Sequence, residues 1–263
     1  PEQVGIVLFG RPYNAFAEEA NMGVPRKFAS RGVPIIPFES LPFQDQPVPE
    51  GMNWAMGQDL LRAAALVKRH PQLFGVYVTN FGCGPDSFLV GYFRDTMKTK
   101  PSLTLEIDSH TADAGVNTRV EAFLDIVERY RRLQITDPPA DPFRQAKLVL
   151  RRGEPYFRDS HGQDHPLRSP RVKVLFPSMG RTIVEAASAT FRGFGIQSEP
   201  VPHPQYKTLM AGRGHTCCKE CLPLILSVGS LVEYLETHRS GEELLLYFMP
   251  STNGNCRFPQ YSV

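Results

Sequence analysis

The feature that most narrows the fold is an alternation along the chain. Short runs rich in Val, Ile and Phe are separated by segments whose apolar residues recur at helical spacing. Such a rhythm belongs to a mainly parallel sheet covered by helices. In the first half it predicts strands over Val4–Phe9, Val33–Phe38, Phe74–Thr79 and Leu103–Ile107, with helices over about 16–31, 54–69, 86–97 and 118–133. The last of these sets Val120, Phe123, Leu124, Val127 and Tyr130 at spacings of three and four, one apolar stripe. With short connections and right-handed crossovers, this half reads as a doubly wound lobe.

Residues 136–170 break the pattern, first through Asp137-Pro138-Pro139-Ala140-Asp141-Pro142 and then through the polar, turn-rich Asp159–Pro170. They read as an irregular connector with a short helix over about 142–152. The rhythm then returns, with strands over Val172–Phe176, Ile196–Val201 and Leu244–Phe248 and helices over about 181–193 and 223–238. The expectation is therefore an α/β protein of two doubly wound, Rossmann- or flavodoxin-like lobes. The first is residues 1–135, the second 171–263, with a ligand cleft between them. The abrupt ends suggest pieces of a longer polypeptide, the second lobe being cut short at its C-terminus.

A chain of 263 residues buries enough apolar surface to fold without disulfides. Its net charge is only +2, and its densest basic cluster, Arg129, Arg131 and Arg132, falls at a helix end where cations complement the dipole. Nucleic acid is not an expected partner. No run approaches the ~20 apolar residues that span a bilayer, so no membrane insertion is expected. The five cysteines are odd in number and three crowd into Cys217-Cys218-Lys219-Glu220-Cys221. That suits a metal or redox role in a reducing, cytoplasmic compartment better than a disulfide framework.

Ligands in open α/β sheets collect beyond the carboxyl ends of strands. Four unusual segments fall there: Gly10-Arg11-Pro12-Tyr13-Asn14, Asn80–Ser87 with Gly82-Cys83-Gly84, Pro177-Ser178-Met179-Gly180, and Pro250–Phe258 with Cys256. Cys83 and Cys256 would hold equivalent places in the two lobes, beside glycines that let backbone N–H groups approach a bulky ligand. Pro223 suits the first turn of a helix, which would put Cys221 at the helix entrance where a thiolate is favoured. Soft sulfur donors select iron–sulfur clusters, zinc or copper(I). From these residues alone, Cys83 reads equally as ligand or as small buried hydrophobe. Arg11 is a candidate clamp for a phosphate or carboxylate, with Asn14 and Ser178 as further anion or substrate contacts. His110, in the polar group of Glu106, Asp108 and Asp113, is either a contact of that kind or a loop-ordering residue. His215 either hydrogen-bonds a cluster sulfur or is solvated, and His161 and His165 are expected to be exposed. No phosphate-binding loop of Walker type and no dinucleotide fingerprint is present, so ATP is not expected to bind through either.

These segments resemble the activase-associated proteins of the 2-hydroxyacyl-CoA dehydratase system, the CoA-substrate-specific enzyme activases. The matching stretches are Leu8–Asn14, Asn80–Phe88, Glu106–Gly115, Thr118–Phe123, Phe176–Gly180, Lys219–Pro223 and Asn255–Tyr261, in order along nearly the whole chain. The resemblance implies two α/β lobes with a [4Fe–4S]-type cluster held in the cleft by Cys83, Cys221 and Cys256. It implies electron transfer in anaerobic metabolism, an ATP-hydrolysing activase domain or subunit as partner, an acyl-CoA as substrate, and a dimer. Two departures stand out. Cys217-Cys218 replaces the family's Ser-Gly, which could add or exchange a ligand, and Asn255 and Pro259 alter the turn around Cys256. The competing expectation is a non-catalytic α/β module that binds a partner or anion and uses its cysteines structurally.

Overall fold

The computed structural model describes residues 3–133, 135, 144–250 and 256–262. Contacts divide the chain into two compact units, Pro1–Pro139 together with Asn253–Val263, and Ala140–Thr252. The segment expected to close the second lobe thus groups with the first unit, because its aromatic and polar side chains find their partners there.

The first unit is built on strands β1 (Gly5–Phe9), β2 (Ile35–Pro37), β3 (Leu73–Thr79) and β4 (Ser102–Glu106), all parallel, in the order β2-β1-β3-β4. Every residue of β1 is buried, and its alternation feeds two separate cores. Val7 and Phe9 pack on one face with Tyr77 and with Leu60, Leu61 and Phe93 from helices α4 (Ala55–Arg69) and α5 (Asp86–Met97). Ile6 and Leu8 pack on the other with Phe74, Val76, and Val120 and Phe123 from α6 (Asp113–Leu133). Each such side chain contributes about 1.5–3 kcal/mol by leaving water, so a sheet filled on both faces is the stable solution. The ends of α4 and α5 cap each other reciprocally. Lys68 Nζ donates to the Met97 carbonyl at 2.7 Å, and Lys100 Nζ to the Val67 carbonyl at 2.7 Å.

The helix expected over about 16–31 is broken into α1 (Pro12–Ala15), α2 (Glu18–Asn21) and α3 (Val24–Ala29). Ala17 is extended, and Met22 and Gly23 are both left-handed, at φ 53° and 66°. The buried Asn21 side chain competes with the helical ladder, donating to the Ala15 carbonyl at 2.8 Å and accepting from the Gly23 N–H at 2.9 Å.

The second unit carries a parallel sheet of β8 (Val172–Phe176), β9 (Gln197–Pro200) and β10 (Leu244–Tyr247), ordered β10-β8-β9, with helices α7 (Arg181–Gly193), α8 (Tyr206–Gly214) and α9 (Leu222–Thr237). The helix expected over about 142–152 is corrected where the structure describes it. Lys147–Arg151 is strand β5, paired antiparallel with β6 (Glu154–Arg158), which pairs with β7 (Asp164–Pro166). Arg152 and Gly153, at φ 51° and 83°, form the two-residue positive-φ loop that joins tight hairpins. Arg158 locks the second turn with a two-pronged contact to Asp164, at 2.7 and 3.1 Å. His165, expected to be exposed, is partly buried and meets Asp159 at 2.9 Å, whereas His161 is exposed.

Helix α8 has little apolar periodicity and was not anticipated from the sequence. Its place is fixed by close approach to α9. A β-carbon on Gly212 would stand 1.9 Å from the Ile225 carbonyl oxygen, and one on Gly229 would stand 2.0 Å from that of Thr208. Backbone meets backbone there, so neither glycine can be replaced without parting the helices. No helix among the described residues is long and apolar enough to cross a membrane.

Candidate functional site

In the first sheet the chain leaves β1 towards β2 and leaves β3 in the opposite direction, towards β4. The crevice at the carboxyl ends of β1 and β3 is therefore the topological switch point, where open α/β sheets hold ligands. The segments Gly10–Asn14 and Asn80–Ser87 occupy it. Gly10, at φ 140°, lies so close to β3 that a β-carbon would be 2.3 Å from the Val78 carbonyl oxygen. The two segments are tied by Asn80 Nδ2 donating to Asn14 Oδ1 at 2.8 Å. The second is also tied to itself, through Gly82 N–H to Asn80 Oδ1 at 3.0 Å and Ser87 Oγ to the Gly84 carbonyl at 2.6 Å.

Below this loop lies a buried carboxylate. Asp86, at the start of α5, accepts from Thr79 Oγ1 at 2.5 Å and from the Tyr77 hydroxyl at 3.1 Å. Its third neighbour is Arg11, whose Nε is 3.5 Å away, close enough for ion pairing but with no formed hydrogen bond. Burial, then the Asp86 charge, pushes the Tyr77 phenol well above its ordinary range. Cys83 is buried beside them, with the Tyr13 hydroxyl 3.8 Å from its Sγ. Burial pushes the Cys83 thiol up, against the Asp86 backbone N–H that favours the thiolate. Burial and then the Cys83 contact likewise raise the Tyr13 phenol.

The C-terminal residues return to this loop. The Arg257 guanidinium lies over Gly84, its Nη1 3.4 Å from where a β-carbon would stand. The Tyr92 hydroxyl donates to the Gln260 carbonyl at 2.8 Å, and the rings of Phe88 and Tyr261 stack with centroids 6.2 Å apart. Cys256, exposed and next to Arg257, belongs to the same unit as Cys83. Arg11 Nε and Asn14 Nδ2 in the crevice segment, and both polar atoms of the Gln260 side chain in the returning segment, are buried without a hydrogen-bond partner. Each such orphan costs about 1–3 kcal/mol, so each is a position where a further partner would stabilise the protein.

In the second unit Cys221 is the N-cap of α9, at φ −65° and ψ 146°, with Pro223 in the first turn. Cys217 and Cys218 are exposed in the loop before it. His215 Nδ1 sits 3.0 Å from the Ala211 carbonyl, so its ring closes the end of α8. Ser178, beyond β8, places its Oγ 3.0 Å from His203 Nδ1 at a cavity of about 270 Å³ that also includes Arg181. His110 is exposed, its backbone N–H held at 3.0 Å by Asp108, while Asp113 pairs with Lys27 at 2.5 Å. The polar group after β4 is thus a solvated turn and a helix start. Among the described residues, no three His, Cys, Asp or Glu side chains are grouped closely enough to hold a metal ion.

Cys83, Arg11 and Asn14 lie together at the strand ends, and Cys256 lies in the same unit, next to the Arg257 that covers Gly84. Tyr13, Asp86, Arg257 and Gln260 were not singled out from the sequence. The acidic residue directly after Pro85, at a helix start beside a strand end, was the available signal for Asp86.

Residues 1–41 match the family model described as CoA enzyme activase uncharacterised domain (DUF2229), which agrees with the resemblance to the activase-associated proteins. The match includes β1 and the Arg11–Asn14 side of the crevice. No curated protein and no solved structure matches the chain.

Proposed function

We propose that the chain is the iron–sulfur component of an ATP-driven system resembling 2-hydroxyacyl-CoA dehydratase, with Cys83, Cys221 and Cys256 as ligands of a [4Fe–4S]-type cluster. When bound, such a cluster supplies a one-electron redox centre for reduction or dehydration of an acyl-CoA. The observation that supports the reading is Arg257, the chain neighbour of Cys256, laid over Gly84, the chain neighbour of Cys83. The first unit's donor set fits the group. One soft sulfur donor, Cys83, lies at the strand-end crevice beside Arg11 and the orphaned Asn14 amide, and a second, Cys256, adjoins the Arg257 that covers Gly84.

The protein's own residues have distinct parts. Cys83 gives up its proton only against the cost of burial, so a bound cation is what makes its thiolate favourable. Tyr13 offers a hydroxyl to that sulfur, and Asp86 fixes Arg11 beside it. Arg11 and Arg257 offset negative charge on the thiolates. Cys221 meets its ligand role at a helix N-terminus, where the dipole favours a thiolate. The electron would come from an ATP-hydrolysing activase domain or subunit.

The test is iron and acid-labile sulfide content after anaerobic reconstitution. Wild type should take up about four of each per chain. Cys83→Ser, Cys221→Ser and Cys256→Ser should each lower the iron content. Unchanged iron in all three variants overturns the assignment. A colourless wild-type protein would favour a partner- or anion-binding module.

A further inference from the structure

The loop between α8 and α9 carries three of the five cysteines, and the proposed ligand set uses only Cys221. Cys218-Lys219-Glu220-Cys221 has C-x-x-C spacing, and its second cysteine caps a 16-residue helix. In a chain of βαβ units that arrangement is the pattern of a dithiol redox site. The surroundings hold it in shape. The Gly212 and Gly229 contacts clamp the two helices together. The Glu220 carboxylate accepts from the backbone N–H of Cys217 at 3.2 Å and of Lys219 at 3.1 Å, closing the turn. Cys218 sits at φ 59°, a left-handed position that non-glycine residues seldom occupy. Its exposed Sγ is weakly held, 3.4 Å from the Arg213 carbonyl. Cys221 is partly sheltered. One open thiol and one sheltered thiol, three residues apart at a helix entrance, are the parts of an attacking and a resolving cysteine.

We infer that Cys218 and Cys221 form a dithiol–disulfide exchange pair whose substrate is a low-molecular-weight disulfide. The Cys218 sulfur attacks one sulfur of the substrate, forming a mixed disulfide and releasing the first thiol. Cys221 then attacks the Cys218 sulfur, closing the Cys218–Cys221 bond and releasing the second thiol. Two electrons pass from the protein dithiol to the substrate, and the two protons leave on the product thiols. A reducing dithiol reverses the sequence. The exchange itself does not depend on the cluster. Only one consequence rests on that reading, namely that Cys221 in the disulfide is withdrawn as a ligand.

The test uses the full chain, stripped of metal by a chelator and incubated with oxidised glutathione. Thiols are then alkylated and the peptides mapped by mass spectrometry. Free thiols should fall from five to three, with a single Cys218–Cys221 bridge that dithiothreitol reopens. Cys217→Ser should keep the bridge. Cys218→Ser and Cys221→Ser should abolish it and retain a glutathione adduct on the remaining cysteine, with helical circular dichroism unchanged. A dominant bridge to Cys217, or stable adducts on both Cys218 and Cys221 in wild type, overturns the inference. Because this readout is taken without iron, its failure is separate from failure of the cluster assignment.

Discussion

Cys83 and Cys221 both stand just ahead of a proline-marked helix, yet the two helix entrances are built in different ways. Cys83 is enclosed largely by residues distant in sequence, Tyr13 from the first crossover and Arg257 laid over the neighbouring Gly84, together with the nearby Asp86 below it. Cys221 is framed locally, by its own helix, the preceding α8 and two neighbouring thiols. The first arrangement fixes charge and burial around one sulfur. The second leaves its sulfurs accessible on a rigid support. The contrast separates a site made by long-range packing from one made by short-range chain geometry, and each should fail in its own manner.

The largest effect is expected at the buried carboxylate. Asp86→Ala leaves the partly buried Arg11 charge without its partner and unpairs Thr79 and Tyr77, which should cost about 3 kcal/mol. The single tryptophan, Trp54, lies in the first unit and packs edge-on against Phe88, so its fluorescence in a urea titration reports that loss. If Asp86→Ala unfolds at the wild-type urea concentration, the long-range description of the Cys83 entrance is wrong.

The local entrance is broken by a methyl group. Gly229→Ala should cost about 3 kcal/mol, since its β-carbon has only backbone to displace. Hydrogen exchange should quicken across α8 and α9 while the Trp54 transition stays in place. Loss of both signals together would show that the two entrances are not independent.

A smaller change sharpens the role of the C-terminal return. Tyr92→Phe deletes the donor to the Gln260 carbonyl and should cost about 1 kcal/mol. Limited proteolysis near residues 256–262 should then be faster than in wild type, and equal cleavage rates would argue that ring stacking with Phe88 alone secures the segment.

The smallest effect is a titration. Burial, and then the neighbouring Lys68 charge, lowers the Lys100 ammonium to about 8. Between that value and the ordinary lysine range the unfolded chain binds more protons, so the Lys100 contribution to stability rises with pH across this window. NMR of the Lys100 side chain should give a midpoint near 8; a midpoint near the ordinary lysine value would show that the carbonyls of α4 outweigh burial.

The sequence by itself determined the strands of the two parallel sheets and most of their helices. Short apolar runs marked β1, β3 and β8, buried on both faces, and helical spacing of apolar residues marked α4, α5, α6, α7 and α9, because burial of one face repeats with the geometry of a helix. It also located Cys83 at a strand end and Cys221 at a helix entrance, since proline and glycine act through local backbone limits. The β5–β6 hairpin was not legible, a short helix being expected in its place. Arg152-Gly153 is a weak turn signal, and Leu148 and Leu150 are exposed, so no buried face advertised the strand. Helix α8 was hidden for a related reason, its position being set by two glycines on facing helices. Tertiary structure alone decided that the segment of Cys256 groups with the unit of Cys83, that Asp86 is buried beside Arg11, and that polar atoms of Arg11, Asn14 and Gln260 are buried without partners. These facts depend on contacts between residues as far apart as Gly84 and Arg257, which no local periodicity encodes. Periodicity reports which face of an element leaves water; which residue it then meets is settled only when the elements pack.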